Sequence, residues 1–177
     1  MSRFTEELLL VAFADLTRYA VQIDRLDDLD VAAIMADYYE LVGRSVRAAG
    51  GRIVKFMGDA AVVVFPSAKA GDGVLALLDL KTAVDRFMDQ RGWECKLTVR
   101  AHYGTVAAGL FGAGVDERYD VLGKAVNVAA RLESSGVALS VEAFRQLNPA
   151  TRQRFKRHTL PITYIRLEDS HRSPRRR

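Results

Sequence analysis

GGRIVKFMGDAAVVVF (50–65) contains two apolar runs, Arg52 to Met57 and Ala60 to Phe65, separated only by Gly58 and Asp59. Two turn residues between strand-like runs predict a tight β-hairpin. Before it, Val31, Ile34, Met35, Tyr38, Leu41, Val42 and Val46 recur at helical spacing, with Asp28 and Asp30 placed to cap the start. Gly50 and Gly51 end that pattern, so a long amphipathic helix is expected to feed directly into the hairpin.

Working outward, Leu8 to Ala14 is an apolar run of buried-strand length that closes on Asp15, Thr17 and Arg18. Beyond the hairpin, a second helical pattern runs from about Val74 to Met88 through Leu77, Leu78, Val84 and Phe87. Leu97 to Ala108 reads as a strand, with Gly104, Gly109 and Gly112 marking turns or close backbone approach. A short strand at Tyr119 to Leu122, a helix at Lys124 to Leu132, a strand at Gly136 to Ser140, a helix at Val141 to Leu147 and a last strand at Ile162 to Leu167 complete the pattern. This order predicts an α+β fold of the ferredoxin-like, split βαβ type, an antiparallel-rich central sheet with helices packed on one face.

At 177 residues, 49% hydrophobic and 27% charged, the chain has the composition of one domain with a continuous core. No stretch approaches the roughly 20 unbroken apolar residues of a membrane helix, and the opening lacks a signal-peptide pattern, so a cytoplasmic location is expected. The single cysteine, Cys95, excludes an internal disulfide and is expected as a small packed strand residue. The pI near 9.4 suggests an acidic partner until the charge is located. Residues 170–177 carry Arg172, Arg175, Arg176 and Arg177 and no acid; without them 22 basic residues face 22 acidic ones. The expected organisation is therefore a folded domain over 1–169 and a solvated basic tail over 170–177, with nucleic-acid binding the less favoured reading.

Asp15 ends one strand and Asp59 sits in a hairpin turn. If those strands are neighbours, roughly 4.8 Å apart, the two carboxylates meet. With no histidine near them in sequence, such a pair suits hard, oxygen-seeking ions such as Mg²⁺ or Mn²⁺. Strand alternation puts Ile53, Lys55 and Met57 on one face of the hairpin's first strand and Arg52, Val54 and Phe56 on the other. Asn127 and Arg131 are four apart and share a helical face. Taken singly, each has a plainer reading: a turn residue, a cap, a lysine reaching water at a sheet edge, a solvated helix face.

The stretches VAFADLT (11–17), GGRIVKFMGDAAVVVF (50–65) and RYDVLGKAVNVAARLES (118–134) resemble, in order and spacing, the three signature blocks of class III adenylyl and guanylyl cyclases. The resemblance covers about residues 8 to 147. It implies catalytic domains packed head to tail as a homodimer, each active site borrowing residues from both chains. Asp15 and Asp59, with the Leu16 carbonyl as a further ligand, would hold two divalent ions per site, Mg²⁺ or Mn²⁺. Lys55 and Asp120 would select the purine, and their donor and acceptor match adenine, which implies ATP as substrate and cyclic AMP as product. Asn127 would orient the ribose and Arg131 would neutralise transition-state charge. All six residues of the family's catalytic set are thus present, and a homodimer would hold two complete sites.

Two stretches depart from the family pattern. Arg18-Tyr19-Ala20 stands where the family often has Gly-Phe-Thr against the phosphates. In FKRHTLP (155–161), Lys156 lies at a fitting distance from Pro161 to be the family's phosphate lysine, but Arg157 replaces a glycine, and Arg154 or Arg157 are alternatives. The rival readings are a guanylyl cyclase, which needs Lys55 and Asp120 to be misassigned; a diguanylate cyclase, whose Gly-Gly-Asp/Glu-Glu-Phe turn is absent; and a non-catalytic cyclase-like module, which would ordinarily lack a metal aspartate or the arginine.

Overall fold

Every residue of Ala61 to Phe65 is buried, as is Leu9 to Ala12, so these runs are covered on both sides. In the computed structural model, which describes residues 3–133, 135–158 and 162–169, both runs are central strands of one sheet. The chain forms β1 (Phe4–Leu16), α1 (Tyr19–Ile23), α2 (Asp28–Ala48), the hairpin β2 (Arg52–Met57) and β3 (Ala60–Pro66), α3 (Ala70–Asp89) and β4 (Leu97–Phe111). There follow β5 (Arg118–Leu122), α4 (Lys124–Arg131), β6 (Val137–Leu139), α5 (Val141–Arg145), α6 (Pro149–Arg152), β7 (Phe155–His158) and β8 (Thr163–Arg166). Pro161 and the basic tail read at 170–177 lie outside the described residues.

Among the described residues, the sheet order is β2-β3-β1-β4-β6-β8-β7, with β5 attached to β4. The pairings are antiparallel except β4 with β6. This is the α+β, mostly antiparallel arrangement expected from the sequence, and the hairpin falls on the predicted residues. No helix among the described residues is long and apolar enough to cross a membrane.

One expectation is corrected. The helices do not all lie on one face. Leu10, Ala12 and Ala14 of β1, with Ala61, Val63 and Phe65 of β3, pack with Tyr38, Val42 and Val46 of α2 and Leu77, Leu78 and Val84 of α3. The alternate residues, Leu9 and Val11 with Val62 and Val64, pack with Ala125 and Ala129 of α4. A strand that is apolar at successive positions, not alternate ones, requires cover on both faces, and α4 supplies the second.

A second correction concerns β2. Ile53 pairs with Val63 but Lys55 pairs with Val62, so Val54 is an extra residue, a β-bulge. Ile53 and Phe56 both pack into the α2/α3 layer and Val54 into the α4 layer. Lys55, opposite Val62, therefore points to the α4 side and does not share a face with Ile53.

Phe65 fixes how closely α3 and the end of α2 approach β3. A Cβ at Gly73 would lie 2.6 Å from the Phe65 ring at Cγ, and one at Gly51 would lie 2.5 Å from it at Cε1. The ring is completely buried. Gly73→Ala sets helix propensity, worth about 1 kcal/mol in favour of alanine, against overpacking, worth about 1–3 kcal/mol against it. Overpacking wins: the urea midpoint of Gly73→Ala is expected to fall, and adding Phe65→Leu should restore part of the loss. A midpoint that rises in the single variant would show that the ring yields.

Candidate active site

β1 and β3 are antiparallel, with Ala14 opposite Ala61. The end of β1 and the β2–β3 turn thus fall at the same edge of neighbouring strands. Gly58, with φ of 63°, takes the left-handed position that a two-residue turn demands, and Asp59 follows it. The turn is anchored from three directions. The Leu16 amide donates to Asp59 Oδ2 at 3.3 Å, the Tyr38 hydroxyl to the Asp59 carbonyl at 3.1 Å, and the Tyr39 hydroxyl to the Gly58 carbonyl at 2.5 Å. The Tyr39 ring stacks on Phe56 at 3.9 Å, and the Thr98 hydroxyl donates to the Asp15 carbonyl at 3.1 Å.

Asp59 and Asp15 are thereby brought together, as the sequence implied. Asp59 is half-buried, and burial, a hydrogen bond to the Asp15 side chain and the Asp15 charge push its pKa up to about 6, against the Leu16 amide, which favours the charged form. Burial and Asp59 also raise the Tyr38 phenol, which remains a neutral donor. Two carboxylates held against each other concentrate negative charge, and a divalent cation would relieve it. Among the described residues no third acidic, histidine or cysteine side chain joins them. That donor set fits Mg²⁺-type ions, which take one or two carboxylates and complete their shell with phosphate oxygens and water.

Arg100, which the sequence reading did not single out, stands beside this pair. Its Nη2 lies 3.6 Å from Asp15 Oδ2, its Nη1 donates to the Ala130 carbonyl of α4 at 3.1 Å, and its buried Nε has no hydrogen-bond partner among the described residues. Its signal was legible: between Leu97 and Gly109 it is the only residue with a permanent charge. A partly buried cation with spare donors next to a carboxylate pair suits an anionic oxygen.

Lys55 and Asp120 also meet. Lys55 Nζ is 2.6 Å from Asp120 Oδ2, while Asp120 Oδ1 accepts from the Val121 amide at 2.8 Å. Asn127 and Arg131 project together from the exposed face of α4. With Lys124, Val141, Glu142 and Ile162 they line a cavity of about 510 Å³. Neither side chain makes a hydrogen bond or ion pair to the carboxylate pair or to Lys55 and Asp120 within the chain. Lys156 is in β7 and donates to the Leu167 carbonyl at 2.8 Å, and no other expected site residue touches it. The predicted residues are therefore gathered as three separate groups, with Lys156 apart.

The raised Asp59 carboxyl sets a pH dependence. Its folded pKa lies above the ordinary value of 3.8, so the native state holds the proton more tightly than the unfolded chain. Its contribution to stability is complete below about pH 4 and is lost as pH rises through about 6. In chelator, the urea midpoint of the parent is expected to fall relative to Asp59→Asn between pH 4.5 and 7. Parallel profiles would contradict it.

Residues 5–162 match the family described as the adenylate and guanylate cyclase catalytic domain. An adenylate cyclase of Anabaena cylindrica is 29% identical over 133 residues, covering 70% of this chain and 26% of that protein. A receptor-type guanylate cyclase of Drosophila melanogaster is 30% identical over 143 residues, covering 76% of this chain and 9% of that protein. The chain thus matches less than a third of the length of either relative. The crystal structure of an adenylyl cyclase from P. aeruginosa shares the fold, with a TM-score of 0.81 at 19% identity over 97% of this chain and 98% of that one. The ferredoxin-like sheet, the carboxylate pair at its edge and the match over nearly the whole described chain agree: this chain belongs to the class III adenylate and guanylate cyclase catalytic domain family.

Proposed function

We propose that this domain is an adenylate cyclase that converts ATP to 3′,5′-cyclic AMP and pyrophosphate at sites shared across a head-to-tail homodimer. The observation that carries the reading is the division of the expected catalytic set. Asp15 and Asp59 form one group, Lys55 and Asp120 a second, and Asn127 and Arg131 a third, with no hydrogen bond or ion pair between groups inside the chain. A second copy packed head to tail brings the carboxylates of one chain to the other two groups of its partner.

In the reaction the ribose 3′-oxygen attacks the α-phosphorus, its proton leaves to solvent, and the bond from that phosphorus to the pyrophosphate oxygen breaks. Asp15 and Asp59 would hold two divalent ions, Mg²⁺ or Mn²⁺, with the Leu16 carbonyl as a further ligand. When bound, these ions supply Lewis-acid polarisation of the attacking hydroxyl and of the phosphates. Arg100 faces the same anionic oxygens from beside Asp15. Asn127 orients the ribose, and Arg131 places a fixed positive charge where the phosphate oxygens gain negative charge. Lys156 reaches a phosphate only by giving up the Leu167 carbonyl, which makes it the weakest member of the set.

Base choice rests on Lys55 and Asp120. Adenine presents an acceptor at N1 and a donor amine at C6, matched by a lysine donor and an aspartate acceptor. Guanine reverses the order, and the mismatch leaves polar groups unpaired. This favours ATP over GTP.

The test is cyclic nucleotide formation by purified protein with Mn²⁺ and either ATP or GTP, beside Asp59→Ala, Arg131→Ala and an equal mixture of the two. Cyclic AMP from the parent, a loss of about 10²-fold or more in each variant, and recovery on mixing to about a quarter of parental activity are expected. Recovery arises because a mixed dimer keeps one intact site. Absence of recovery with dimers demonstrably exchanged would remove the shared-site reading, and cyclic GMP as the main product would assign the domain as a guanylyl cyclase.

A further inference from the structure

Arg52 and Lys55 are three residues apart on β2, a spacing that puts two side chains on opposite faces of a regular strand. The bulge at Val54 cancels that: Arg52 is opposite Val64 and Lys55 opposite Val62, and both of those valines belong to the α4 layer. Both side chains consequently reach β5. The Arg52 guanidinium lies 3.6 Å from the centroid of the Tyr119 ring, and Lys55 binds Asp120, the next residue along β5.

Among the described residues β5 pairs with β4 alone and stands off the main path of the sheet. Two polar contacts, Arg52 with Tyr119 and Lys55 with Asp120, join it to β2, beside the apolar packing of Val54 and Tyr119 on one cluster. If Lys55 and Asp120 read a purine, they must exchange their direct bond for bonds to the base. At that moment the Arg52–Tyr119 stack is the polar contact that still joins β5 to β2.

We propose that Arg52, acting through Tyr119, is a positioning residue for purine selection: it keeps the acceptor on β5 at the spacing from Lys55 that adenine requires. This rests on the reading of Lys55 and Asp120 as the base-selecting pair. Arg52 is exposed and outside both core layers, so its removal takes no buried side chain out of either layer.

The experiment compares the parent with Arg52→Ala, Arg52→Lys, Tyr119→Phe, Tyr119→Leu, the Arg52→Ala/Tyr119→Leu pair and Lys55→Ala, all as the full chain and checked for fold by circular dichroism. KM and kcat are measured for ATP and GTP. Base preference is also read without turnover, as competition of ATP and GTP for a bound fluorescent nucleotide. Arg52→Ala is expected to raise KM for ATP and lower the ATP-to-GTP preference by about two- to fivefold, the size of one exposed cation–π contact, with kcat little changed. Tyr119→Phe keeps the ring and the parental preference, Arg52→Lys falls between, and the double variant is no worse than Arg52→Ala. A parental preference in folded Arg52→Ala, or effects that multiply in the double variant, overturns the proposal. Should Tyr119→Leu fail to fold, the Arg52 variants and Tyr119→Phe still decide it. Loss of preference in Lys55→Ala with none in Arg52→Ala refutes only the role of Arg52. Unchanged preference in Lys55→Ala refutes the base-pair reading and this inference with it.

Discussion

Asp59 is held against Asp15 although their charges repel, and the surrounding contacts are arranged to make that contact unavoidable. The antiparallel register of β1 and β3 delivers both to one sheet edge. The hydroxyls of Tyr38 and Tyr39 tie the turn to α2, and the Leu16 amide ties it to β1. Because α2 is itself seated by Met35, Tyr38, Val42 and Val46 in the main core, displacing the turn would mean disturbing the core. A raised carboxyl is the electrostatic trace of that constraint, and a divalent cation is the chemistry that resolves it.

The sheet meets a second demand through its two-sided cover. One layer, with α2 and α3, secures the carboxylates. The other, with α4, presents Asn127 and Arg131 on the outer face of a helix whose inner face is Ala125 and Ala129. Arg100 runs between the two, reaching Asp15 at one end of its guanidinium and the Ala130 carbonyl at the other. Stability and chemistry are thus divided between the faces of one sheet.

Most of this was legible in the residues. The hairpin announced itself because Gly58-Asp59 separates two apolar runs, and α2 because its apolar residues keep helical spacing over many turns. The second cover was legible too, had the unbroken apolar run at 61–65 been taken as evidence for two buried faces. The bulge at Val54 was not, because it carries no glycine or proline and exists only as a register shift against β3. That omission put Lys55 on the wrong face while leaving its pairing with Asp120 correct. β7 was missed because FKRH has neither alternation nor β-branched residues, and its strand character comes from pairing with β8. α1 is one short turn begun by Arg18 in a left-handed conformation, a state its side chain does not advertise.

The slim inner face of α4 has a consequence for motion. A helix seated on two alanines and a half-buried valine gives up less apolar surface when it lifts than α2, which would have to expose a tyrosine, a methionine and two valines. Local opening is cheapest where buried apolar contact is least. Amide hydrogens of α4 are accordingly the ones to exchange early, and those of α2 late. The carboxylate pair thus belongs to the part of the molecule that breathes least, and Asn127 and Arg131 to the part that can adjust.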